Sequence, residues 1–136
     1  MSEATAPAGE PAIRVIAMPA DANPNGDIFG GWLMSQMDIA GGSVAVARAH
    51  GRTATVAVDA MTFHKPVFVG DVVSVYAEIR RVGRTSMQVH VQAWARRGRG
   101  DVEEMVTEGT FTYVAIDENR RPRPVPGDGN QESGVR

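Results

Sequence analysis

The chain contains no cysteine, which excludes a disulfide framework, a thiolate nucleophile and a cysteine-based zinc site. It also lacks a charge excess of either sign: 14 Lys and Arg stand against 16 Asp and Glu, for a net charge of -2. A general nucleic-acid binder needs a basic footprint to displace counterions, and none is present. The opening MSEATAPAGEP has no basic n-region and no apolar h-region, so no secretory leader is expected and the cytoplasm is the expected compartment. Ile28–Ala49 has the length of a membrane span, but Ser35, Gln36 and Asp38 interrupt it and its flanks lack positive clusters. A buried helix fits that pattern better than a membrane segment. No glycine-rich phosphate loop or dinucleotide fingerprint occurs, and His50, His64 and His90 lack metal-ligand spacing. Neither a cofactor nor a metal is therefore expected.

What the chain does have is size for one domain and a clear order of patterns. At 136 residues it can bury roughly two-thirds of its unfolded surface. Residues 1–11 are small, polar and proline-bearing, which predicts disorder; residues 12–118 form the domain, and 119–136 read as a flexible tail. Ile13–Ala17 is a short predicted strand, followed by the turn-forming PADANPNGD. A helix is predicted from Gly30 or Gly31 to His50, with Gly51 taking the left-handed cap position. Arg48 and His50 then sit where the helix dipole favours positive charge. Leu33, Met37, Ala40, Val44 and Ala47 make one stripe, yet the opposite side is also apolar or small, as in an enclosed helix.

Strands follow the helix. Val73, Val75, Ala77 and Ile79 alternate with polar residues, as do Met87, Val89, Val91, Ala93 and Ala95. Gly83-Arg84-Thr85 between them is short enough for a hairpin. Thr53–Phe63 is extended, but its apolar parity switches, which places a bulge near Asp59–Ala60. Met105–Ile116 supplies the last strand. Strand, long helix and four further strands, mostly antiparallel, predict an α+β fold with one central helix wrapped by about five strands. Tyr76 and Trp94 fall on outward faces, where exposed aromatics hint at contact with another subunit.

Asp38 is the only acidic residue between Ile28 and Ala49. A carboxylate in such a run costs several kcal/mol, on the order of a buried charge, unless it is partnered. One reading is structural, a pairing with Arg52, Arg48 or a loop amide. The other is chemical, because a carboxylate withdrawn from water is a stronger base. Gly41 and Gly42 share its helical face and leave room there for a substrate.

Four blocks carry a family resemblance: MPADANPNGDIFGGWLMSQMD at 18–38, TVAVDAMTFHKPVFVGDVV at 55–73, VGRTSMQVHVQAW at 82–94 and FTYVAID at 111–117. With them the chain resembles the hot-dog-fold acyl-CoA thioesterases, in particular the small bacterial acyl-CoA hydrolases related to the brain-type cytosolic enzyme. The likeness runs from residue 13 to about 126. It implies a hot-dog fold, a dimer as the minimal active unit and a hexamer built as a trimer of dimers. The implied reaction converts acyl-CoA to free CoA and a carboxylic acid, with the CoA moiety belonging to the substrate.

The resemblance also assigns residues. Asp38 matches the family's acidic residue, a general base or a nucleophile, and the base is favoured here. Asn23, which alone reads as an Asx turn, matches an asparagine that works alongside the acidic residue of the other subunit. Gly30 and Gly31 match glycines beside the thioester carbonyl, at a helix start whose free N–H groups suit an oxyanion. Lys65, Arg84, Thr85 and Ser86 are the candidates for CoA, near the matching GRTS turn, although a surface arginine among several is ordinarily just solvated. His64 departs from the pattern, since an aliphatic residue commonly stands there. His90 reads as solvated or interfacial. Two competitors remain: an acyl dehydratase, which would need a histidine in the loop or early helix, and a non-catalytic acyl-CoA binding or regulatory protein.

Overall fold

Each period-two run becomes a strand and the apolar run becomes the one long helix. The computed structural model describes residues 5–127. Its elements are β1 (Ile13–Ile16), α1 (Gly30–Ala49), β2 (Thr53–Phe63), β3 (Val72–Val82), β4 (Ser86–Arg96) and β5 (Glu103–Ala115), with a 3₁₀ turn at Pro19–Asp21. The strands form a single antiparallel sheet in the order β1-β3-β4-β5-β2, and α1 lies across it. This is the expected helix wrapped by a five-stranded sheet. Val73, Val75, Met87, Val89, Val91, Ala93, Phe111 and Tyr113 face the helix and make the core with Leu33, Met37 and Ala40.

The helix meets the sheet along Leu33, Met37, Gly41, Ala45 and Ala49, all buried. That is an i,i+4 ridge, so the buried row runs straighter than the expected stripe and leaves Ala47 exposed. Its last three members are small, which lets the second half of α1 approach the strands closely. The expectation of an all-round enclosed helix is not met within one chain. Ile39, at 58% exposure, and Val46 face outward with nothing over them among the described residues.

The strand pairing slips at four places, and two of them bend the sheet around the end of β2. In β2 the pairing slips between Asp59 and Thr62, and Ala60 takes a left-handed φ of 54°, at the position where the parity switch placed it. Gly109 opposite makes this possible, since a Cβ there would lie 3.0 Å from the Met61 methyl. The second slip lies between Ala93 and Trp94 and loops out Val106 of β5. The Val106 carbonyl then accepts the N–H groups of both His64 and Lys65, at 2.7 and 3.1 Å, and pins the end of β2.

Other expectations need correction. The left-handed cap of α1 is His50, with φ 55° and ψ 40°, not Gly51. Gly51 is needed for space instead: a Cβ there would lie 2.6 Å from the Arg123 guanidinium, which reaches past it to the Ala49 carbonyl at 3.0 Å. The helix end is thus satisfied by a residue of the presumed tail. Segment 117–126 is a docked strap, because the Val125 N–H binds the Arg84 carbonyl at 2.8 Å and Arg48 donates to the Pro126 carbonyl. Residues 1–4 and 128–136 of the two expected tails lie outside the described residues. Trp94 is 2% exposed rather than outward and open, its indole N–H given to Gln92 at 3.1 Å, and Tyr76 is half-buried.

Asp71 follows Gly70, which turns the chain with φ 93°, and is 1% exposed. Its carboxylate accepts the Phe68 N–H and two guanidinium N–H groups of Arg97 at 3.0 and 2.9 Å. Arg97 lies 4.7 Å above the Phe68 ring, and the hydrogen bond to Asp71 is the main reason its proton is held more tightly than usual. Arg97→Ala should therefore cost about 2–3 kcal/mol in chemical denaturation, because it leaves a buried carboxylate without its cation. A loss under about 0.5 kcal/mol, typical of a surface arginine, would contradict this.

Candidate active site

Thr55 of β2 and Tyr113 of β5 are directly paired across the sheet, and both hydroxyls rise to Asp38 on the helix above. Asp38 Oδ1 accepts from Thr55 Oγ1 at 2.8 Å and from the Tyr113 hydroxyl at 3.0 Å. The same phenol lies 3.0 Å from the Asp38 main-chain carbonyl. Among the described residues, the side-chain donors to the Asp38 carboxylate are thus two hydroxyls. Hydroxyls orient a carboxylate without neutralising it.

Gly41 explains how the tyrosine fits. A Cβ at that position would lie 2.5 Å from the Tyr113 hydroxyl, and one at Gly42 would touch the same ring at 3.7 Å. Gly41 therefore makes room for Tyr113 rather than for a substrate, while a side chain at Gly42 would meet the ring only at ordinary contact distance. Tyr113 is 1% exposed and stacks on Phe111 with ring centroids 6.4 Å apart. Burial first, and the Asp38 carboxylate second, push its hydroxyl far above the ordinary tyrosine range, so it remains a donor. Sequence reasoning missed both Thr55 and Tyr113. A signal for the latter existed: Phe111, Tyr113 and Ala115 share the inward parity, and a tyrosine facing the core needs a partner for its hydroxyl.

Asp38 opens on a cleft of about 190 Å³ lined by Gly31, Met34, Ser35, Val58 and Phe111. Asn23 lines a different cleft, of about 290 Å³, with Gly30, Leu33, Phe63, His64 and Lys65. The two share no lining residue. Within one chain the structure does not bring Asn23 and Asp38 together, and the adjacent glycines at the helix start go one to each cleft. Gly30 sits against the Phe63 ring, 3.2 Å from where a Cβ would be, while Gly31 faces open space. The Asn23 side-chain oxygen accepts from the Asn25 and Asp27 N–H groups at 2.9 and 3.1 Å, the Asx turn expected of it. Its amide NH₂ has no partner among the described residues.

The remaining candidates lie apart. Lys65 is half-exposed and paired with Glu104 at 3.0 Å. Arg84 and Thr85 lie in the β3–β4 turn and Ser86 opens β4; the Thr85 and Arg84 carbonyls accept the N–H groups of Ala115 and Val125, and the Arg84 side chain is exposed. His64 and His90 both approach Glu108, at 3.0 and 3.3 Å, so His90 is neither simply solvated nor near Asp38.

One long helix wrapped by a five-stranded antiparallel sheet, with the Asp38 carboxylate oriented by two hydroxyls at an apolar-walled cleft, is an arrangement that a hydrolase can use. Comparison with known proteins agrees. The family description "Thioesterase superfamily" matches residues 25–101, and the chain belongs to that superfamily. It is 57% identical over 126 residues to an uncharacterized acyl-CoA thioester hydrolase of Zymomonas mobilis, covering 92% of this chain and 84% of that one. Identity to the acyl-CoA thioester hydrolase YciA of Salmonella typhimurium is 49%, covering 90% and 95%. Among solved structures, a hexameric thioesterase from Yersinia pestis superposes with a TM-score of 0.86 at 50% identity, covering 90% of this chain and all (100%) of that one. Among the described residues no helix is long and apolar enough to cross a membrane.

The raised Tyr113 titration has a measurable consequence. In the unfolded chain the phenol ionises near pH 10, while the folded protein keeps the proton. Stability is therefore intact below about pH 10 and falls above it, by up to about 1.4 kcal/mol per pH unit for this group. Tyr113→Phe should flatten that alkaline slope in urea titrations run from about pH 9 to about pH 11; equal slopes would refute the assignment.

Proposed function

We propose that the protein hydrolyses acyl-CoA thioesters to CoA and a carboxylic acid. The observation that supports it most is the Asp38 carboxylate, held by Thr55 and Tyr113 at the edge of a cleft walled by Met34, Val58 and Phe111. The named relatives supply the thioester class. In this reading Asp38 takes a proton from water as its oxygen attacks the carbonyl carbon. The helix N-terminus steadies the oxyanion beside Gly30 and Gly31, the C–S bond breaks, and the proton passes from Asp38 to the departing thiolate or to solvent. No resident cofactor enters the scheme. Arg84, Thr85, Ser86 and Lys65 are assigned to the CoA moiety, with Arg84 suited to a phosphate.

The second cleft gives the assembly its role. β2 is an edge strand of 11 residues whose outer side is unpaired and exposes Val56 and Val58. Pairing of two such edges makes a dimer in which Asn23 of one copy completes the site of Asp38 in the other, and three dimers make a hexamer like that of the Yersinia pestis relative.

Two experiments test this. Free-thiol release over short to long acyl-CoAs should show turnover, and Asp38→Ala should lower it by about 10²–10⁴-fold, the range for a lost general base. No turnover on any chain length, with CoA binding intact, would favour the non-catalytic binding protein. Separately, Asn23→Ala and Asp38→Ala chains, each inactive alone, should recover activity when refolded together. Random pairing restores about a quarter of the sites, because half the dimers are mixed and each mixed dimer holds one intact site. No recovery would refute a site shared between two copies.

A further inference from the structure

Asp38 has two carboxylate oxygens, and its contacts are divided unequally between them. Thr55 and Tyr113 both donate to Oδ1, and among the described residues no donor reaches Oδ2. A carboxylate fixed at one oxygen keeps the lone pairs of the other for a water molecule. The two donors differ in kind. Thr55 lies on the edge strand β2 and is exposed within one chain. Tyr113 is enclosed, stacked on Phe111, and its hydroxyl stands where a Cβ of residue 41 would be. It also reaches the Asp38 main-chain carbonyl at 3.0 Å, so one rigid phenol gauges side chain and backbone of the same residue.

We propose that Tyr113 is a positioning residue for hydrolysis: seated in the notch left by Gly41, its phenol clamps Oδ1 and the carbonyl of Asp38 and so turns Oδ2 to the attacking water. The inference rests on the reading of Asp38 as the base. The single proton of the phenol is shared between the main-chain carbonyl and Oδ1, both at 3.0 Å. The second contact, to Oδ1, is the one the reaction uses. A phenol suits the task because it stays protonated beside an ionised carboxylate and does not compete for the proton that water gives up. Gly41 is then part of the device, since any side chain there pushes the hydroxyl away from both acceptors.

The test is steady-state kinetics on the acyl-CoA that wild type hydrolyses fastest, for Tyr113→Phe, Gly41→Ala and the double variant. Tyr113→Phe should lower kcat roughly ten- to a hundredfold, the range for a lost hydrogen bond to a charged group, with KM within about twofold. Gly41→Ala should give a similar loss while retaining the tyrosine. In the double variant the two losses should not multiply, because both act through one contact. Thermal melting and oligomeric state are recorded for each, and a crystal structure of Tyr113→Phe shows whether the Asp38 carboxylate has rotated. Wild-type kcat in Tyr113→Phe, parallel changes in kcat and KM, or multiplicative losses would overturn the proposal. If wild type itself released no thiol, the hydrolase reading would fall. The crystal structure would still decide the clamp, and an Asp38 carboxylate unmoved in Tyr113→Phe would refute it.

Discussion

Where α1 crosses β5 the helix has no side chain at Gly41, and the Tyr113 hydroxyl occupies the space, 2.5 Å from where a Cβ would begin. This close approach sets the height of the helix above the sheet, and much else depends on it. It lets a strand residue reach the helix backbone, it fixes the carboxylate one turn earlier, and it holds the ridge of Ala45 and Ala49 against the strands. A larger residue at 41 would lift α1 as well as displace a hydrogen bond. Position 41 and position 113 therefore form one unit, and neither is free to change without the other.

A second layer of control comes from pairing irregularities. A slip at Val56 shifts the register by one residue between the Thr55–Tyr113 and Val58–Phe111 pairs, so a donor pair and an apolar pair lie in succession beneath the helix. Beyond them the Ala60–Met61 bulge bends β2, and the Val106 bulge of β5 catches its end through His64 and Lys65. Loop residues of the Asn23 cleft are thus positioned by the sheet. Glu108 and Glu104, alternate along β5, tie the same loop from its side chains.

The features legible in the sequence were those with a period. Alternation gave the strands, the apolar run gave the helix, and a parity switch gave the bulge near Ala60. Asp38 stood out because its surroundings contain no other acid. What escaped was set by contacts distant in the chain. Gly51 carries the usual mark of a left-handed cap, yet His50 takes that conformation, and the glycine serves instead to leave space for Arg123, a tail residue. Trp94 has outward parity and is buried all the same. The strap over 117–126 has a composition suited to a loose tail, but its backbone is tied to Arg84 and its arginine to the helix end. Tyr113 needed the register to reveal its partner.

The open side of β2 has a consequence for the newly made chain. Eleven residues of edge strand, with Val56 and Val58 exposed, carry neither proline nor lysine to discourage pairing with foreign strands. Within one chain that edge presents unpaired backbone and apolar side chains, the kind of surface on which foreign strands can pair. A β2 edge left uncovered is therefore the part of the fold most open to misassembly.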